Sequence, residues 1–126
     1  MKSLKMKILP SEYRIYQLAP NSSIPSQVFD EEFFSVTKTE DEVSLVCSAR
    51  ISIESKNVEA GFSCMQVVGP LDFSLTGILS EISSVFSREN ISIFAISTFN
   101  TDYILFKTVE AENVKEAFSV SGHKIL

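Results

Sequence analysis

The sequence predicts an α+β protein in which strands and two amphipathic helices follow in β-α-β-β-α-β order, the ferredoxin-like unit. Two observations carry this prediction: two segments of the C-terminal half place apolar residues at helical spacing, and short β-branched segments lie between them. A third observation, a degenerate internal repeat, indicates a strand-rich copy of the unit in the N-terminal half. We therefore expect two modules, residues 1–60 and residues 61–126.

The first helix of the C-terminal half has the strongest pattern. Residues 64–68 form a short apolar strand, after which Asp72 or Ser74 can accept hydrogen bonds from the open first turn of a helix. The helix should run to about Arg88 and stop at Asn90. Its apolar residues recur three and four apart and form one buried face: Leu75, Ile78, Leu79, Ile82, Val85 and Phe86.

The remaining elements of this half complete the unit. Residues 91–98 and 103–107 are β-prone and enclose a turn at residues 99–102, which predicts a hairpin. A second helix at residues 110–120 turns Val114, Ala117 and Phe118 inward, with Gly122 just past its end. A short strand at residues 123–126 would close the sheet.

The N-terminal half is richer in strands. Residues 21–27 predict a loop or a very short helix, and residues 51–59 a link between modules with room for a short helix. The strand-forming segments surround turns at Pro10-Ser11 and at residues 38–41; they are residues 5–9, 13–18, 33–37 and 43–49.

The repeat explains why the halves differ. The stretch from Thr37 to Val43 matches the stretch from Thr98 to Ile104 at an offset of 61, whereas residues 18–20 match residues 68–70 at an offset of 50. The first copy is thus eleven residues shorter between its first strand and its hairpin. We expect it to keep the hairpin and to lose about three turns of helix.

Composition and charge exclude several classes of function. The net charge is −5, from 16 acidic and 11 basic residues, so the Lys/Arg surplus that nucleic acids and anionic lipid surfaces require is missing. No apolar run is long enough to span a membrane, and the basic N-terminal segment lacks the apolar run of a signal peptide. We expect a cytoplasmic protein whose two cysteines, Cys47 and Cys64, are reduced and structural.

Catalysis is not expected. His123 is the only histidine, and the sequence offers it neither a partner nor a pocket, which favours a surface or edge-strand position. Nucleophile, phosphate-loop and metal-ligand motifs are absent from the sequence, and Cys47 or Cys64 would need His123 nearby to act as a nucleophile. We expect no cofactor and no metal.

Three segments carry a resemblance to a known family. Residues 69–79, 91–103 and 34–42 resemble bacterial tandem ACT-domain proteins, of the family that also contains the eukaryotic arginine sensor CASTOR. The resemblance implies two ferredoxin-like ACT modules in tandem, the first degenerate, and a regulatory protein that binds an amino acid or similar small effector between modules. The residues that it implies as ligand-binding are Asp72, Phe73, Ser74, Leu75, Thr76, Gly77, Thr98, Phe99, Asn100 and Asp102.

The chemistry of these residues suits a zwitterion. A helix N-terminus offers open N–H groups and a positive dipole end to a carboxylate, and Gly77 in the first turns would let a ligand approach. Asp102 would take the ammonium group and Phe99 would wall the apolar part. Leu75 stands where the sensor carries an acidic residue; an arginine side chain needs a carboxylate partner, so arginine is a doubtful ligand.

Other interpretations of the same residues remain open. Asp72 can be only a helix cap, Gly77 can serve close helix–sheet packing, and Asp102 can only stabilise its turn. Phe94 and Phe99 can be core or dimer contacts. The acidic residues 39–42 can be a solvated turn or the rim of a site for a basic ligand.

An exposed sheet edge and apolar face favour a homodimer, which would rebuild the four-module arrangement of the sensor. A regulated partner protein is a further expected contact. Two other functions stay under consideration: a structural or protein-interaction module without a small ligand, and, least favoured, an enzyme of unrecognised chemistry.

Overall fold

The computed structural model describes residues 3–68 and 77–126. The chain divides into two compact units. One unit, the C-terminal unit below, joins the described residues up to Pro10 to Ser63–Leu126, and the other, the N-terminal unit, comprises Ser11–Phe62. In the sequence, the N-terminal unit is therefore inserted between the first strand of the C-terminal unit and the rest of that unit.

The C-terminal unit has the predicted mixed α+β, ferredoxin-like architecture. Its sheet has the order β6-β7-β5-β1-β8. The strands are β1 (Lys5–Ile8), the C-terminal part of β5 (Asn57–Val67), β6 (Phe94–Ser97), β7 (Asp102–Lys107) and β8 (Lys124–Ile125), and the helices are α1 (Ile78–Arg88) and α2 (Ala111–Val120). A 3-10 turn at Thr108–Glu110 leads into α2.

Both helices bury one apolar stripe against this sheet. On α1 the buried residues are Ile82, Val85 and Phe86, and on α2 they are Val114 and Phe118. The ring centroids of Phe86 and Phe118 are 5.3 Å apart in an edge-to-face arrangement. The sheet contributes Met6, Met65, Val67, Ile104 and Phe106 to the same core. The inward face predicted for α2 is confirmed; on α1, Leu79 was predicted to be buried but is 37% exposed.

Strand β1 lies where the sequence did not predict it. The prediction placed residues 5–9 in the N-terminal module, beside the strand at residues 13–18. In the structure β1 pairs antiparallel with β5 and parallel with β8, so that Met6 is opposite Val67 and Ile125. Met6 is fully buried there, and this burial gives the physical reason for the placement.

The N-terminal unit is an antiparallel sheet in the order β3-β4-β2-β5. Its strands are β2 (Tyr13–Leu18), β3 (Ser35–Lys38), β4 (Val43–Ser48) and the first half of β5. Between β2 and β3 the chain forms only a 3-10 helix at Ser26–Asp30, which buries Val28. The prediction that the long helix is missing from this interval is confirmed.

The link predicted at residues 51–59 is wrong at its end, because β5 begins at Asn57 and continues for eleven residues. Residues 57–60 are all exposed, and the pairing of this end with β2 includes a hydrogen bond from Nδ2 of Asn57 to Oε1 of Gln17 at 3.1 Å, so this end of β5 leaves no apolar pattern in the sequence. Two other strands begin later than predicted: β6 begins at Phe94 and not at residue 91, and β3 begins at Ser35 and not at residue 33.

Candidate functional site

Several chain segments of the C-terminal unit meet at the end of its sheet where β5 stops, and we name this region the β5 edge. Strand β5 ends at Val67, and the N–H of Val68 donates to the carbonyl oxygen of Lys5 at 2.8 Å. The N–H of Lys124 donates to the carbonyl oxygen of Leu4 at 2.9 Å, which brings the start of β8 to the same edge. The β6–β7 turn joins them through Thr101.

The β6–β7 turn is closed by threonine. The N–H of Thr98 donates to the carbonyl oxygen of Thr101 at 2.8 Å, and the Thr98 hydroxyl oxygen accepts from the N–H of Thr101 at 3.2 Å. The turn therefore comprises residues 98–101, and Asp102 is the first residue of β7, paired with Ser97. The predicted turn at residues 99–102 was one residue late.

Thr101 fixes this turn to the β5 edge. Its side chain is 4% exposed, and its hydroxyl donates to the carbonyl oxygen of Val67 at 2.6 Å. A buried hydroxyl with a good partner is costly to displace, so the turn is held at the last residue of β5. The sequence offered no signal for this contact, because Thr101 is one threonine among several polar turn residues.

Asp102 presents a carboxylate beside the turn. Its Oδ1 atom accepts from the hydroxyl of Ser97 at 2.6 Å, across the first pair of the hairpin. Phe99 lies at the turn with 80% of its surface exposed, which excludes the interpretation of Phe99 as a core residue. The turn thus places Thr98, Phe99, Asn100 and Asp102 together, with Phe99 exposed and the Asp102 carboxylate held by Ser97.

The first helix of the unit begins at Ile78. Gly77 precedes it with φ of 81° in the left-handed region, which glycine adopts without steric cost, and its carbonyl oxygen accepts from the N–H of Glu81 at 2.8 Å. The prediction of Gly77 within the first turns is wrong, because this φ excludes it from the helix. The predicted site residues Asp72, Phe73, Ser74, Leu75 and Thr76 lie outside the described residues.

His123 differs in part from the sequence interpretation: it directly precedes the edge strand β8, but it is not at the surface and it has partners. It is buried, and its ring lies between two partners: the N–H of Leu4 donates to Nδ1 at 3.0 Å, and Nε2 lies 2.8 Å from Oε2 of Glu81. This bond holds the pKa of the Glu81 carboxyl below its usual value. The one available signal was the period of two, which puts His123 on the same face as Ile125 in the final strand.

The two hairpins share a turn geometry but not at the predicted alignment. In the β3–β4 hairpin the N–H of Thr39 donates to the carbonyl oxygen of Glu42 at 2.9 Å, and its hydroxyl oxygen accepts from the N–H of Glu42 at 3.2 Å. Thr39 therefore corresponds to Thr98, an offset of 59 in place of the expected 61. By this correspondence Asp102 matches Val43, and the three acidic residues of the first turn, residues 40–42, match Phe99, Asn100 and Thr101.

The cysteine thiols are a further type of reactive group in this chain. Both cysteines are free and buried; burial raises the pKa of the Cys47 thiol to about 11 and that of the Cys64 thiol to about 12. Among residues 3–68 and 77–126, no three His, Cys, Asp or Glu side chains converge as a metal site. Within the same ranges, no helix is long and apolar enough to cross a membrane.

The sheet order and the two helices on one core define a ferredoxin-like unit. A family model described as an ACT domain matches residues 57–119, half of the chain, and the protein belongs to the ACT-domain family. A second model, described as an N-terminal domain, matches residues 11–54, which lie within the N-terminal unit.

Solved structures extend the comparison. A protein from Agobacterium tumefaciens is 33% identical, with a TM-score of 0.91 over 100% of this chain and 94% of that one. A Vibrio cholerae protein described as a possible transport protein is 16% identical, with a TM-score of 0.70 over 94% and 89% of the two chains. The regulatory subunit of aspartate kinase from Thermus thermophilus is 11% identical, with a TM-score of 0.62 over 94% and 98%. No curated protein sequence matches significantly.

Proposed function

We propose that this protein is a regulatory binding protein for an amino acid or a similar small zwitterion, and that it acts without catalysis. The observation that carries the proposal is the β5 edge of an ACT-domain unit. There a rigid turn, an exposed aromatic ring and a carboxylate lie together: residues 98–101, Phe99 and Asp102. An ammonium group suits the Asp102 carboxylate, and an apolar side chain suits the Phe99 ring.

The carboxylate of the ligand is assigned to the segment that leads into α1. In this proposal the site residues from Asp72 to Thr76, which lie outside the described residues, bind this carboxylate together with Gly77 and the helix start at Ile78. The left-handed φ of Gly77 supports it, since a residue without a side chain there leaves the backbone open to approach. Leu75 supplies no carboxylate for a guanidinium group, so arginine should bind poorly.

Three finer assignments belong to the same proposal. The chain is a bacterial relative of the CASTOR family with tandem ACT modules, the first of them degenerate and divided from the second near residue 60. It forms a homodimer, and its ligand-bound form contacts a partner protein. The aspartate kinase regulatory subunit from Thermus thermophilus, which shares the fold at low identity, supports the regulatory assignment by analogy.

A thermal-shift screen over the amino acids tests the function, because a ligand that binds only the native state raises Tm. Calorimetry with the best hit then compares three variants. Asp102→Ala should abolish binding, Ser97→Ala should retain it because the carboxylate remains, and Asp41→Ala should retain it although the net charge changes equally.

If no amino acid raises Tm, the alternative of a protein-interaction module without a small ligand is favoured. If a ligand is confirmed but Asp102→Ala binds it with unchanged affinity, the site assignment is wrong although the function stands. Light scattering at high concentration checks the homodimer, and a monomer there would refute it.

A further inference from the structure

His123 connects three segments of the C-terminal unit at the β5 edge: the start of β1, the first turn of α1 and the start of β8. We propose that His123 is a positioning residue that holds β1 to α1 only in its neutral form, so that proton uptake by this imidazole releases the start of β1 and weakens effector binding. The last step rests on the proposed function, and the release of β1 does not.

The hydrogen bonds assign the tautomer of the ring. The N–H of Leu4 donates to Nδ1 at 3.0 Å, so Nδ1 must carry a lone pair and no proton. The proton of the neutral ring is then on Nε2, where it is donated to Oε2 of Glu81 at 2.8 Å. Only the neutral Nε2–H form satisfies both partners.

Proton uptake changes one of these two contacts and keeps the other. A proton on Nδ1 would face the N–H of Leu4, and two donors cannot bond to each other. The Nε2–H group still donates to Glu81, now as a charge-assisted bond. The hydrogen bond to Glu81 on α1 is therefore retained or strengthened, and the hydrogen bond from Leu4 at the start of β1 is lost.

The surroundings of the His123 ring leave it little room to rotate away from its two partners. The side chain of His123 is 3% exposed, and its ring centroid is 5.9 Å from that of Phe118. His123 also helps to line an open pocket of about 430 Å³. The charged side chains on the elements around it are Glu81 and Arg88 on α1, Glu112, Lys115 and Glu116 on α2, Lys124 beside it, and Lys5 and Lys7 on β1.

The released segment is continuous with the proposed site. Leu4 directly precedes Lys5, whose carbonyl oxygen accepts from the N–H of Val68 at 2.8 Å. Val68 is the residue before the segment 69–76 that is proposed to bind the effector carboxylate. The bond from Leu4 to His123 thus lies one residue away from the bond that holds Val68, and we expect an affinity about two- to tenfold lower in the protonated state.

The decisive measurement uses the free protein. Because the chain has one histidine, a side-chain ¹⁵N–¹³C NMR titration reports on His123 alone. At high pH it should show the Nε2–H tautomer, and the amide signals of Leu4 and Lys5 should shift with the same midpoint as the imidazole. An Nδ1–H tautomer, or a Leu4 amide unaffected by the titration, would overturn the proposal.

Two conservative variants separate positioning from simple packing. In His123→Asn the side-chain oxygen can accept from the N–H of Leu4 in place of Nδ1, without titrating, so the Leu4 amide should stay protected from exchange at every pH. In His123→Gln the amide can reach Glu81 but leaves Leu4 unbonded, so fast Leu4 exchange should persist at every pH. Equal Leu4 exchange in the two variants would contradict the assignment.

With a confirmed effector, calorimetry across the His123 titration tests the last step. Affinity should fall with proton uptake in the natural protein and remain constant in His123→Asn. If the NMR titration behaves as expected but affinity does not follow it, the release of β1 stands and its coupling to the effector is refuted. Failure to find any effector would refute the proposed function alone.

Discussion

The hydroxyl of Thr101 donates to the carbonyl oxygen of Val67 at 2.6 Å, and this buried bond ties the β6–β7 turn to the end of β5. Removing the donor leaves a buried carbonyl oxygen without this partner, which costs about 1–3 kcal/mol. Thr101→Val should therefore lower the free energy of unfolding by that amount, as measured by urea denaturation, and should weaken effector binding.

Two variants serve as controls for Thr101→Val. Thr101→Ser keeps the hydroxyl and should recover most of the stability. Thr39→Val removes a hydroxyl that accepts a hydrogen bond within the β3–β4 turn, where the side chain is exposed and water replaces the lost bond, so its cost should be smaller. Equal losses for Thr39→Val and Thr101→Val would show that the buried bond to Val67 is not the cause.

The buried hydroxyl of Tyr16 gives the opposite expectation. It has no hydrogen-bond partner among the described residues, although the side chain is 2% exposed and packs with Val28, Leu45 and Cys47. Tyr16→Phe removes an unsatisfied polar group and keeps the ring, so stability should be unchanged or higher by about 1 kcal/mol. Tyr16→Ala should cost about 3–5 kcal/mol. A loss above about 1 kcal/mol for Tyr16→Phe would reveal a bonded hydroxyl.

Both thiols should be unreactive in the native protein. Their pKa values are raised from 9.0 to about 11 for Cys47 and about 12 for Cys64, chiefly because burial disfavours the thiolate. A thiol reagent at pH 8 should label them at the rate of unfolding, and urea should accelerate labelling. Fast stoichiometric labelling without denaturant would contradict the buried placement of at least one cysteine.

The same pKa values predict an alkaline loss of stability. In the unfolded chain the thiols ionise above pH 9, whereas the folded chain keeps them protonated until pH 11 or 12, so the unfolded state binds fewer protons in this interval. The free energy of unfolding should then fall as pH rises from 9 to 11. Denaturation of Cys64→Ala, compared with the natural protein over this interval, should show a shallower slope. Parallel slopes would assign the alkaline loss to other groups.

Glu81 gives the corresponding acid dependence. The hydrogen bond from His123 lowers its pKa from 4.5, so its stabilising contribution is present above pH 4.5 and is lost as pH falls through the lower folded value. Glu81→Gln should flatten the fall in unfolding free energy below pH 4.5. Glu112→Gln is the control, because Glu112 is 91% exposed and pairs only with Lys115 on its own helix. An identical acid slope in both variants would argue against the His123 bond.

The sequence predicted the C-terminal unit well because its helices and strands bury regular apolar faces. Phe86 on α1 and Phe118 on α2 each lie at helical spacing from other apolar residues of the same helix. Because these apolar residues are buried together, the pattern predicts both the helix and the face that it turns to the core. The loss of the long helix from the first copy was also predictable, since this copy is shorter between its first strand and its hairpin, and the interval between β2 and β3 forms only a 3-10 helix. The positions of Asn90 and Gly122 past the helix ends, both with positive φ, followed from their residue types.

The features that the sequence did not predict depend on contacts between residues far apart in the chain. The pairing of Met6 with Val67 and Ile125 has no local signature, and neither has the bond from Leu4 to His123. The start of β5 was missed because residues 57–60 are exposed and show no alternation. The repeat offset was wrong by two residues because a short match of turn residues does not fix which threonine closes the turn.

The position of β1 between β5 and β8 determines the order in which this chain can finish folding. Lys5 pairs with Lys124, so the sheet of the C-terminal unit is completed only after residues 124 and 125 have left the ribosome. The N-terminal unit has its partners within 52 consecutive residues, Ser11–Phe62, and can acquire structure earlier during synthesis. A piece consisting of residues 61–126 alone would expose unpaired edges of β5 and β8, and such edges are templates for aggregation.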